Sequence, residues 1–364
     1  MHAITRKLRI VTGLYLFLFA ACHLLTLSFG LGSLGDLEKA HRILMGPWQN
    51  PIGANSLGLA LLLHMLLGLL ALYKRNTLTM RSADTIQFLS AFLIVPLLAP
   101  HAITMGQFEQ LFDAPPTFPV MLDFFWTTMP TAGFKQVLIV IVVWIHGSIG
   151  LLTWLRLRDS WPRWAPIINP LFVAIPILAL LGFVDAGNRI IEISGGTTRS
   201  VFMIPSNASA IRGLIEIINI TLYSYYGLLA FTLIARQIRV YRASRGESVI
   251  VSFNTGERVT ARPGLNLLEV ANLHGIPHPN QCRGRGRCGT CRVRINNNDA
   301  LPALSTVELD TLDRVSPDHA VYGERLACQL ELPPGTYAIK PVLLADLSEA
   351  DAVESTEIER GPAT

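Results

Sequence analysis

Long apolar segments separated by short polar connections run through the first 240 residues, and a pattern of short alternating runs follows. An α-helix needs about 20 mostly apolar residues to cross the hydrocarbon core of a bilayer. Six segments meet that requirement, and the predicted spans are 9–31, 52–73, 83–105, 132–155, 166–185 and 213–235. The pattern therefore predicts an all-α bundle of six transmembrane helices over residues 1–240.

The pattern of short alternating runs after the bundle predicts a small α+β domain over 248–345. A linker at 241–247 joins this domain to the bundle. Apolar and polar residues alternate in Val249–Phe253 and in Arg258–Ala261, and the turn Asn254–Gly256 between them indicates a β-hairpin. The further predicted elements are a helix at Asn266–Leu273, a strand at Cys291–Ile295 and a helix that opens on the capping box Ser305–Glu308. The stretch Leu326–Leu330 then brings in the fourth cysteine. The acidic stretch 346–364 has little apolar content and is predicted to be disordered.

The composition supports a membrane protein and argues against nucleic acid as a partner. Hydrophobic residues make up 51% of the chain and charged residues only 15%, against about 25% charged in ordinary soluble domains. The net charge of +4 is small. The basic residues collect near the ends of the predicted helices, where they suit a lipid surface. Membrane lipid is therefore an expected partner.

Lysine and arginine are unevenly divided between the two predicted sides of the membrane, and this division predicts the orientation of the chain. One side carries thirteen of them, namely Arg6, Lys7, Arg9, Lys74, Arg75, Arg81, Arg156, Arg158, Arg163, Arg236, Arg239, Arg242 and Arg245. The other side carries six, namely Lys39, Arg42, Lys135, Arg189, Arg199 and Arg212. Positive residues favour the cytoplasmic side. We therefore expect both termini in the cytoplasm and a location in the bacterial inner membrane.

An alternative for the N-terminal segment is cleavage, because Phe19-Ala-Ala-Cys22 after a basic start loosely resembles a bacterial lipoprotein site. The apolar run continues through Leu24 to Phe29, which makes it longer than the roughly 7–15 apolar residues of a signal peptide. We therefore expect Cys22 to be a packing residue of the first span.

Four cysteines in the predicted α+β domain are candidate metal ligands. Cys282, Cys288, Cys291 and Cys328 are spaced C-x5-C-x2-C-x36-C, and the loop between the first three contains several glycines. Three thiolates on one loop and a fourth from a distant strand can hold a [2Fe–2S] cluster. A zinc site is the alternative, although its first pair is usually separated by about two to four residues. A reducing cytoplasm argues against disulfides.

This order of elements, with these cysteines, resembles the [2Fe–2S] ferredoxin domain, which has a β-grasp fold. The resemblance covers roughly 247–345, and the first gap of five residues is like the adrenodoxin branch of that family. It implies that Cys282, Cys288, Cys291 and Cys328 all ligate the cluster. The arginines between them, Arg283, Arg285 and Arg287, are interpreted as a docking face, as groups that shift the cluster potential, or as solvated side chains.

Four histidines lie inside the first four predicted spans, one in each: His23, His64, His101 and His146. Ionisable groups inside a membrane are costly and indicate function. From the predicted cytoplasmic ends of their helices, His64 and His146 lie about 15 Å deep and His23 and His101 about 21–26 Å deep. Two levels of paired histidines are what two bis-histidine haems need.

Glycines one or two helical turns from these histidines support the same hypothesis. Gly68 follows His64 by four residues, Gly150 follows His146 by four, and Gly30 follows His23 by seven. These spacings predict open space on the histidine faces of the helices. The chain contains no C-x-x-C-H sequence, so the expected haem is b-type rather than covalently attached.

The first 240 residues are similar to the dihaem cytochrome b anchors of the succinate dehydrogenase and fumarate reductase class. Their combination with the run Gly-Arg-Gly-Arg-Cys-Gly-Thr-Cys-Arg-Val-Arg resembles the N-terminal part of redox-regulated bacterial class III adenylate cyclases. The cyclase domain of those proteins has no counterpart in this sequence, so cyclase activity is not expected from it. The resemblance implies an inner haem at His64 and His146, an outer haem at His23 and His101, and a membrane quinone as partner.

Three functions remain open on the sequence. The leading hypothesis is membrane electron transfer or redox sensing, which links a quinone pool through two b-type haems to the cluster. The cluster would then serve a soluble cytoplasmic redox or signalling partner, such as a separate cyclase. The second hypothesis is a proton or metal transporter regulated by the cluster; intramembrane carboxylates are scarce, since Asp185 and Glu216 are predicted at helix ends. The third hypothesis is a plain membrane anchor for the ferredoxin domain.

Spans five and six lack histidine. We expect them either to cover the haem bundle or to form a homodimer contact.

Overall fold

The computed structural model of the protein describes residues 2–112, 117–195, 208–254, 256–296 and 301–343. Its helices are α1 (His2–Ser28), α2 (Leu34–Leu44), α3 (Gly46–Gln49), α4 (Pro51–Lys74), α5 (Ser82–Gly106), α6 (Phe108–Phe112), α7 (Phe118–Asp123), α8 (Pro130–Leu155), α9 (Trp161–Ile193), α10 (Ala208–Ala243), α11 (Leu267–Leu273), α12 (Thr306–Val315) and α13 (His319–Tyr322). Its strands are β1 (Val249–Phe253), β2 (Arg258–Ala261), β3 (Arg292–Asn296), β4 (Glu324–Leu326) and β5 (Gly335–Pro341). The predicted tail at 346–364, Arg199 and Thr255 of the predicted turn lie outside the described residues.

The predicted fold class is confirmed: long apolar helices are followed by a small α+β domain. Six helices, α1, α4, α5, α8, α9 and α10, are long and apolar enough to cross a membrane. The chain divides into two compact units. One unit contains the bundle, from Lys7 to Leu69 and from Met80 to Phe231. The other contains 70–79, the first six residues and the chain from Thr232 onward.

The fifth and sixth long helices extend beyond their predicted spans. α9 contains 33 residues and continues through three internal prolines, which membrane helices tolerate because their neighbours satisfy the freed backbone groups. Its polar end is supported by an ion pair one turn apart, in which Arg189 Nη2 lies 2.8 Å from Asp185 Oδ2. Asp185 and Glu216 therefore lie inside α9 and α10, and the expectation that they end their helices is wrong.

Gly30 serves helix packing rather than the open space predicted beside His23. A Cβ atom at Gly30 would lie 2.4 Å from the carbonyl oxygen of Gly182 in α9. A Cβ atom at Gly182 would in turn lie 2.1 Å from the carbonyl oxygen of Leu27. The chain just after α1 and the middle of α9 therefore approach at a distance that only glycine permits at both positions.

The α+β domain is a mixed five-stranded sheet with the strand order β2-β1-β5-β3-β4. The predicted hairpin is observed as the antiparallel pair β1–β2, and β1 pairs in parallel with the last strand, β5. Val251 of β1 and Val293 of β3, which flank β5 in the sheet, are fully buried in one apolar core with Leu326 and Leu330 near the fourth cysteine. α11 opens on a complete capping box between Asn266 and Glu269, which fixes the helix that precedes the cysteine loop.

The predicted capping box at α12 is only half formed, because its acidic residue has another partner. Ser305 accepts a hydrogen bond from the Glu308 backbone N–H, as predicted. The Glu308 carboxylate instead pairs with Arg325, at 2.9 Å and 3.0 Å, and accepts from the backbone N–H of Leu326. Glu308 is 1% exposed, so this ion pair joins α12 to the strand that leads to Cys328.

We expect Arg325→Met to destabilise the α+β domain by about 3–5 kcal/mol, because it leaves the buried Glu308 carboxylate without its charged partner. Pulse proteolysis of the full-length protein in urea measures this change. Arg258→Met, at an exposed position of β2, is the matched control and should leave the urea midpoint nearly unchanged. Equal midpoints for the two variants would contradict the prediction.

The carboxylate of Glu324 makes the same domain sensitive to acid. Desolvation favours its neutral form, but hydrogen bonds from Arg294 and Ser316 outweigh that effect, and its pKa lies below the ordinary 4.5. A carboxyl group whose pKa is lowered by folding stabilises the folded state above its unfolded pKa, and this stabilisation is lost as the pH falls through the folded pKa. We expect Glu324→Gln to reduce the loss of thermal stability below pH 4.5. Calorimetry of the full-length protein tests this against Glu257→Gln, an exposed control.

Arginines of α10 and of the α+β domain bind the carbonyl groups at the end of α4. Arg236 Nε donates to the Arg75 carbonyl at 2.9 Å, and Arg239 donates to the carbonyls of Tyr73 and Arg75. Arg262 Nη2 donates to the Asn76 carbonyl at 3.0 Å. These guanidinium groups satisfy carbonyl oxygens that a helix C-terminus leaves without intrahelical partners.

Candidate functional site

The cysteine loop joins α11 to β3, and its backbone conformation requires glycine. Gly286 and Gly289 have positive φ angles of 61° and 71°, which glycine adopts without a steric penalty. A Cβ atom at Gly289 would also lie 2.5 Å from Val315, and one at Gly286 would lie 2.8 Å from Val307. The loop is therefore packed tightly against α12, and this packing fixes the backbone that carries Cys282, Cys288 and Cys291.

The four predicted cysteine ligands come together as two pairs. Cys282 and Cys288 hydrogen-bond one another through their thiols, and Cys328, just after β4, does the same with Cys291. All are free thiols, and Cys282, Cys291 and Cys328 are buried. Two irons that each take two thiolates need this grouping. No set of three or more His, Cys, Asp or Glu side chains within the described ranges is placed to hold one ion.

Hydrogen-bond donors point at the sulfur atoms. The backbone N–H of Arg287 donates to Cys282 Sγ at 3.4 Å, and that of Cys282 donates to Cys288 Sγ at 3.3 Å. Gln329 Nε2 donates to Cys328 Sγ at 3.4 Å. The hydrogen bond from the Cys288 thiol, together with backbone donors that oppose the effect of burial, lowers the pKa of Cys282 to about 5. Cys282 thus favours the thiolate, the form that binds iron, whereas the same hydrogen bond and burial raise the pKa of Cys288, and the hydrogen bond with Cys291 and burial raise that of Cys328.

The predicted inner histidines lie together in the bundle. The ring centroids of His64 in α4 and His146 in α8 are 6.4 Å apart, and the ring planes are at 89°. His64 Nδ1 lies 3.1 Å from Thr12 Oγ1 of α1. His146 Nδ1 lies 3.0 Å from the Gln87 carbonyl oxygen and 3.3 Å from Ser90 Oγ, both in α5. Each inner imidazole is therefore held through Nδ1.

The predicted outer histidines also form a pair, with different surroundings. The centroids of His23 in α1 and His101 in α5 are 6.3 Å apart. Phe19 stacks on His23 with ring planes only 3° apart and centroids 5.9 Å apart. The Nδ1 atoms of both histidines are buried, and neither has a hydrogen-bond partner among the residues that the structure describes.

The glycines near the inner histidines differ in what surrounds them. The space beside Gly68 is open, with nothing described within 4 Å of a Cβ atom placed there. A Cβ atom at Gly150 would lie 2.9 Å from Gln87 Nε2. Gly13 of α1 has the contact that matters most for the histidines, because a Cβ atom there would lie 2.9 Å from His64 Cε1. Gly13 therefore gives the His64 ring its place beside α1.

The family model described as a 2Fe-2S iron-sulfur cluster binding domain matches residues 252–332. That range contains all four paired cysteines. These residues form a [2Fe–2S] ferredoxin domain. The match supports the predicted [2Fe–2S] cofactor of this region.

Curated relatives match over a limited part of the chain. A component of the Na(+)-translocating NADH-quinone reductase from Yersinia enterocolitica is 31% identical over 132 residues. The components of the same name from Yersinia pestis and Yersinia pseudotuberculosis are 32% identical over 132 residues. Each match covers 31% of this chain and 31% of the relative. The chain thus spans about a third of the length of these relatives.

Solved structures of small ferredoxins are also similar to part of the chain. The crystal structure of the ISC-like [2Fe-2S] ferredoxin from Pseudomonas putida has 26% identity and a TM-score of 0.23, covering 28% of this chain and 94% of that protein. A reduced putidaredoxin variant from Pseudomonas putida has 25% identity and a TM-score of 0.22, covering 26% and 95%.

The sequence analysis missed the residues that hold the inner histidines. Thr12, Gln87 and Ser90 lie on α1 and α5, whereas the histidines they contact lie on α4 and α8. A threonine or serine inside an apolar helix usually bonds only to its own backbone. No pattern in the sequence distinguishes Thr12 from Thr26, which bonds to the Cys22 carbonyl of its own helix.

Proposed function

We propose that this protein transfers electrons across part of a bacterial inner membrane, between a quinone pool and a soluble cytoplasmic partner. Two b-type haems in the bundle and the [2Fe–2S] cluster of the ferredoxin domain carry the electrons. When bound, each of these groups takes up and releases one electron. In the proposed orientation both termini and the ferredoxin domain are cytoplasmic, as the distribution of lysine and arginine favours. The same arrangement would let the protein report the redox state of the quinone pool to a separate effector.

The spacing of the histidine pairs carries this proposal. Two imidazoles that share one metal atom through metal–nitrogen bonds of about 2.0 Å have ring centroids about 6 Å apart. The two pairs are 6.3 Å and 6.4 Å apart. Nothing else in the described bundle requires two such pairs at two levels, since a packed histidine needs only one hydrogen-bond partner. His64 and His146 would hold the inner haem, and His23 and His101 the outer haem.

The names of the matched relatives agree with a function in membrane electron transfer, but they do not specify the function of this chain. The matched proteins are named as parts of a quinone reductase, and the match supports a ferredoxin domain that works beside a membrane. The sodium translocation in that name is not proposed for this chain. The transporter hypothesis receives less support, because Asp185 pairs with Arg189 and no cluster of three or more ionisable ligands lies in the described bundle.

A reduced-minus-oxidised spectrum of the purified full-length protein tests the proposal. Dithionite should produce a b-type α-band, and extraction should give two haems per chain. Iron and acid-labile sulfide beyond the haem iron should correspond to one cluster per chain. A purified protein with the cluster but without any b-type band would overturn the haem assignment and with it the proposed path.

A further inference from the structure

Hydrogen-bond donors and acceptors at the inner pair fix which nitrogen of His64 carries the proton. The Thr12 hydroxyl oxygen lies 2.8 Å from the Leu8 carbonyl oxygen and 3.2 Å from the Arg9 carbonyl oxygen, and the single hydroxyl hydrogen is donated to these backbone acceptors. Toward His64 Nδ1, 3.1 Å away, Thr12 Oγ1 can therefore only accept. The Arg9 backbone carbonyl also hydrogen-bonds the His64 ring. His64 thus carries its hydrogen on Nδ1 and presents the lone pair of Nε2.

The same argument applies to His146 with different partners. Its Nδ1 lies 3.0 Å from the Gln87 carbonyl oxygen, which accepts and cannot donate. Ser90 Oγ lies 3.3 Å from the same Nδ1, and its own hydrogen is donated to the Gln87 carbonyl at 3.0 Å. Both contacts require the hydrogen on His146 Nδ1. The two inner imidazoles are therefore held in the same tautomer, with Nε2 free to bind a metal.

The outer pair lacks this arrangement. His23 Nδ1 and His101 Nδ1 are buried without a hydrogen-bond partner in the described part of the chain. The Gln136 side chain hydrogen-bonds the His101 ring, but an amide both donates and accepts and so does not select a tautomer. Phe19 packs on the face of His23 and contributes no acceptor.

We propose that Thr12 and Ser90 are positioning residues that make the inner haem the lower-potential haem of the two. This inference rests on the proposed function, since it requires a haem at each pair. An imidazole that donates its second N–H is a stronger base and a better donor to the metal, which stabilises the oxidised iron and lowers its potential. The Nδ1 atoms of the outer imidazoles have no such acceptor among the described residues, so the outer haem would be reduced first. An electron that enters from the quinone side would rest on the outer haem.

The double variant Thr12→Val/Ser90→Ala tests this inference by potentiometric titration of the full-length protein. We expect the lower midpoint, the one that His64→Ala removes, to rise relative to the upper one. The backbone acceptors of both histidines remain in the double variant. We therefore expect the equilibrium ratio of reduced inner haem to reduced outer haem to change by about three- to tenfold. A tenfold change corresponds to about 59 mV for a one-electron couple. Thr221→Val is the matched control, since the Thr221 hydroxyl donates to the Ile217 carbonyl of its own helix.

The outcomes separate the inference from the proposed function. Two haems with unchanged midpoints in the double variant, or an upward shift of the component that His23→Ala removes, would overturn the role of Thr12 and Ser90 while the haems remain. A wild-type protein without haem would instead overturn the proposed function. Thr12→Ser retains the hydroxyl and should restore the wild-type midpoint, which separates hydrogen bonding from packing. A Thr12→Ser variant that behaves like Thr12→Val would contradict the inference.

Discussion

Replacing Cys328 by alanine should leave the protein without its [2Fe–2S] cluster. Cys328 is paired with Cys291, so its loss leaves that half of the site with one thiolate where two are needed. The side chain is 5% exposed and belongs to the core of the ferredoxin domain, and water cannot easily replace the missing ligand there. We expect complete loss of the cluster's visible absorption and of the electron paramagnetic resonance signal of the reduced protein.

Cys22→Ala is the matched control for this experiment, since Cys22 is the remaining free cysteine and lies in α1. It should leave the iron and sulfide content unchanged. The α-band of the proposed haems should persist in both variants, because the histidines proposed to hold them lie in the other compact unit. A Cys328→Ala protein that retains one cluster per chain would show that another side chain supplies the fourth ligand.

Replacing His64 or His146 by alanine should reduce the haem content from two per chain to one. Each proposed bis-histidine site takes one imidazole from each of two helices, so loss of His64 or His146 leaves the inner site with one of its two proposed ligands. Either variant should lose the same spectral component, the lower-potential one. His23→Ala and His101→Ala should each remove the other component.

Pyridine haemochrome analysis of purified protein measures these changes, and the cluster signal serves as an internal check of folding. His41→Ala is a suitable control, because His41 lies in the connecting helix α2 and contacts Gln49 and Phe118 rather than a paired histidine ring. Loss of both haems in His41→Ala would indicate that the histidine variants act through misfolding. If His64→Ala and His146→Ala removed different components, the proposed pairing would be wrong.

The sequence was sufficient for features that depend on local pattern. Span length and hydropathy identified the six long helices, and the spacing of four cysteines identified the ferredoxin domain. The hairpin of β1 and β2 was predicted with its observed bounds, because a short alternating run beside a glycine turn has few other solutions.

Features that depend on contacts between distant segments could not be predicted. The capping box at Ser305 is complete in sequence, yet Glu308 turns to Arg325, 17 residues away. The hydroxyl of Thr12 acquires its role only because α1 passes beside His64, which is 52 residues distant. The spacing of Gly30 predicted open space for a cofactor, but Gly30 packs against Gly182.

Two arginines of α10 that bind the end of α4 link membrane topology to helix stability. Arg236 and Arg239 belong to the positive residues that predict the orientation of the chain, and the same guanidinium groups donate to the carbonyls of Tyr73 and Arg75 at the end of α4. A charge-neutralising substitution at either position would therefore alter two properties together: the insertion signal and the termination of a helix. Experiments that read topology from charge swaps in this protein need lysine at these positions as a comparison. Lysine keeps the positive charge but lacks the planar fork that reaches two carbonyls at once.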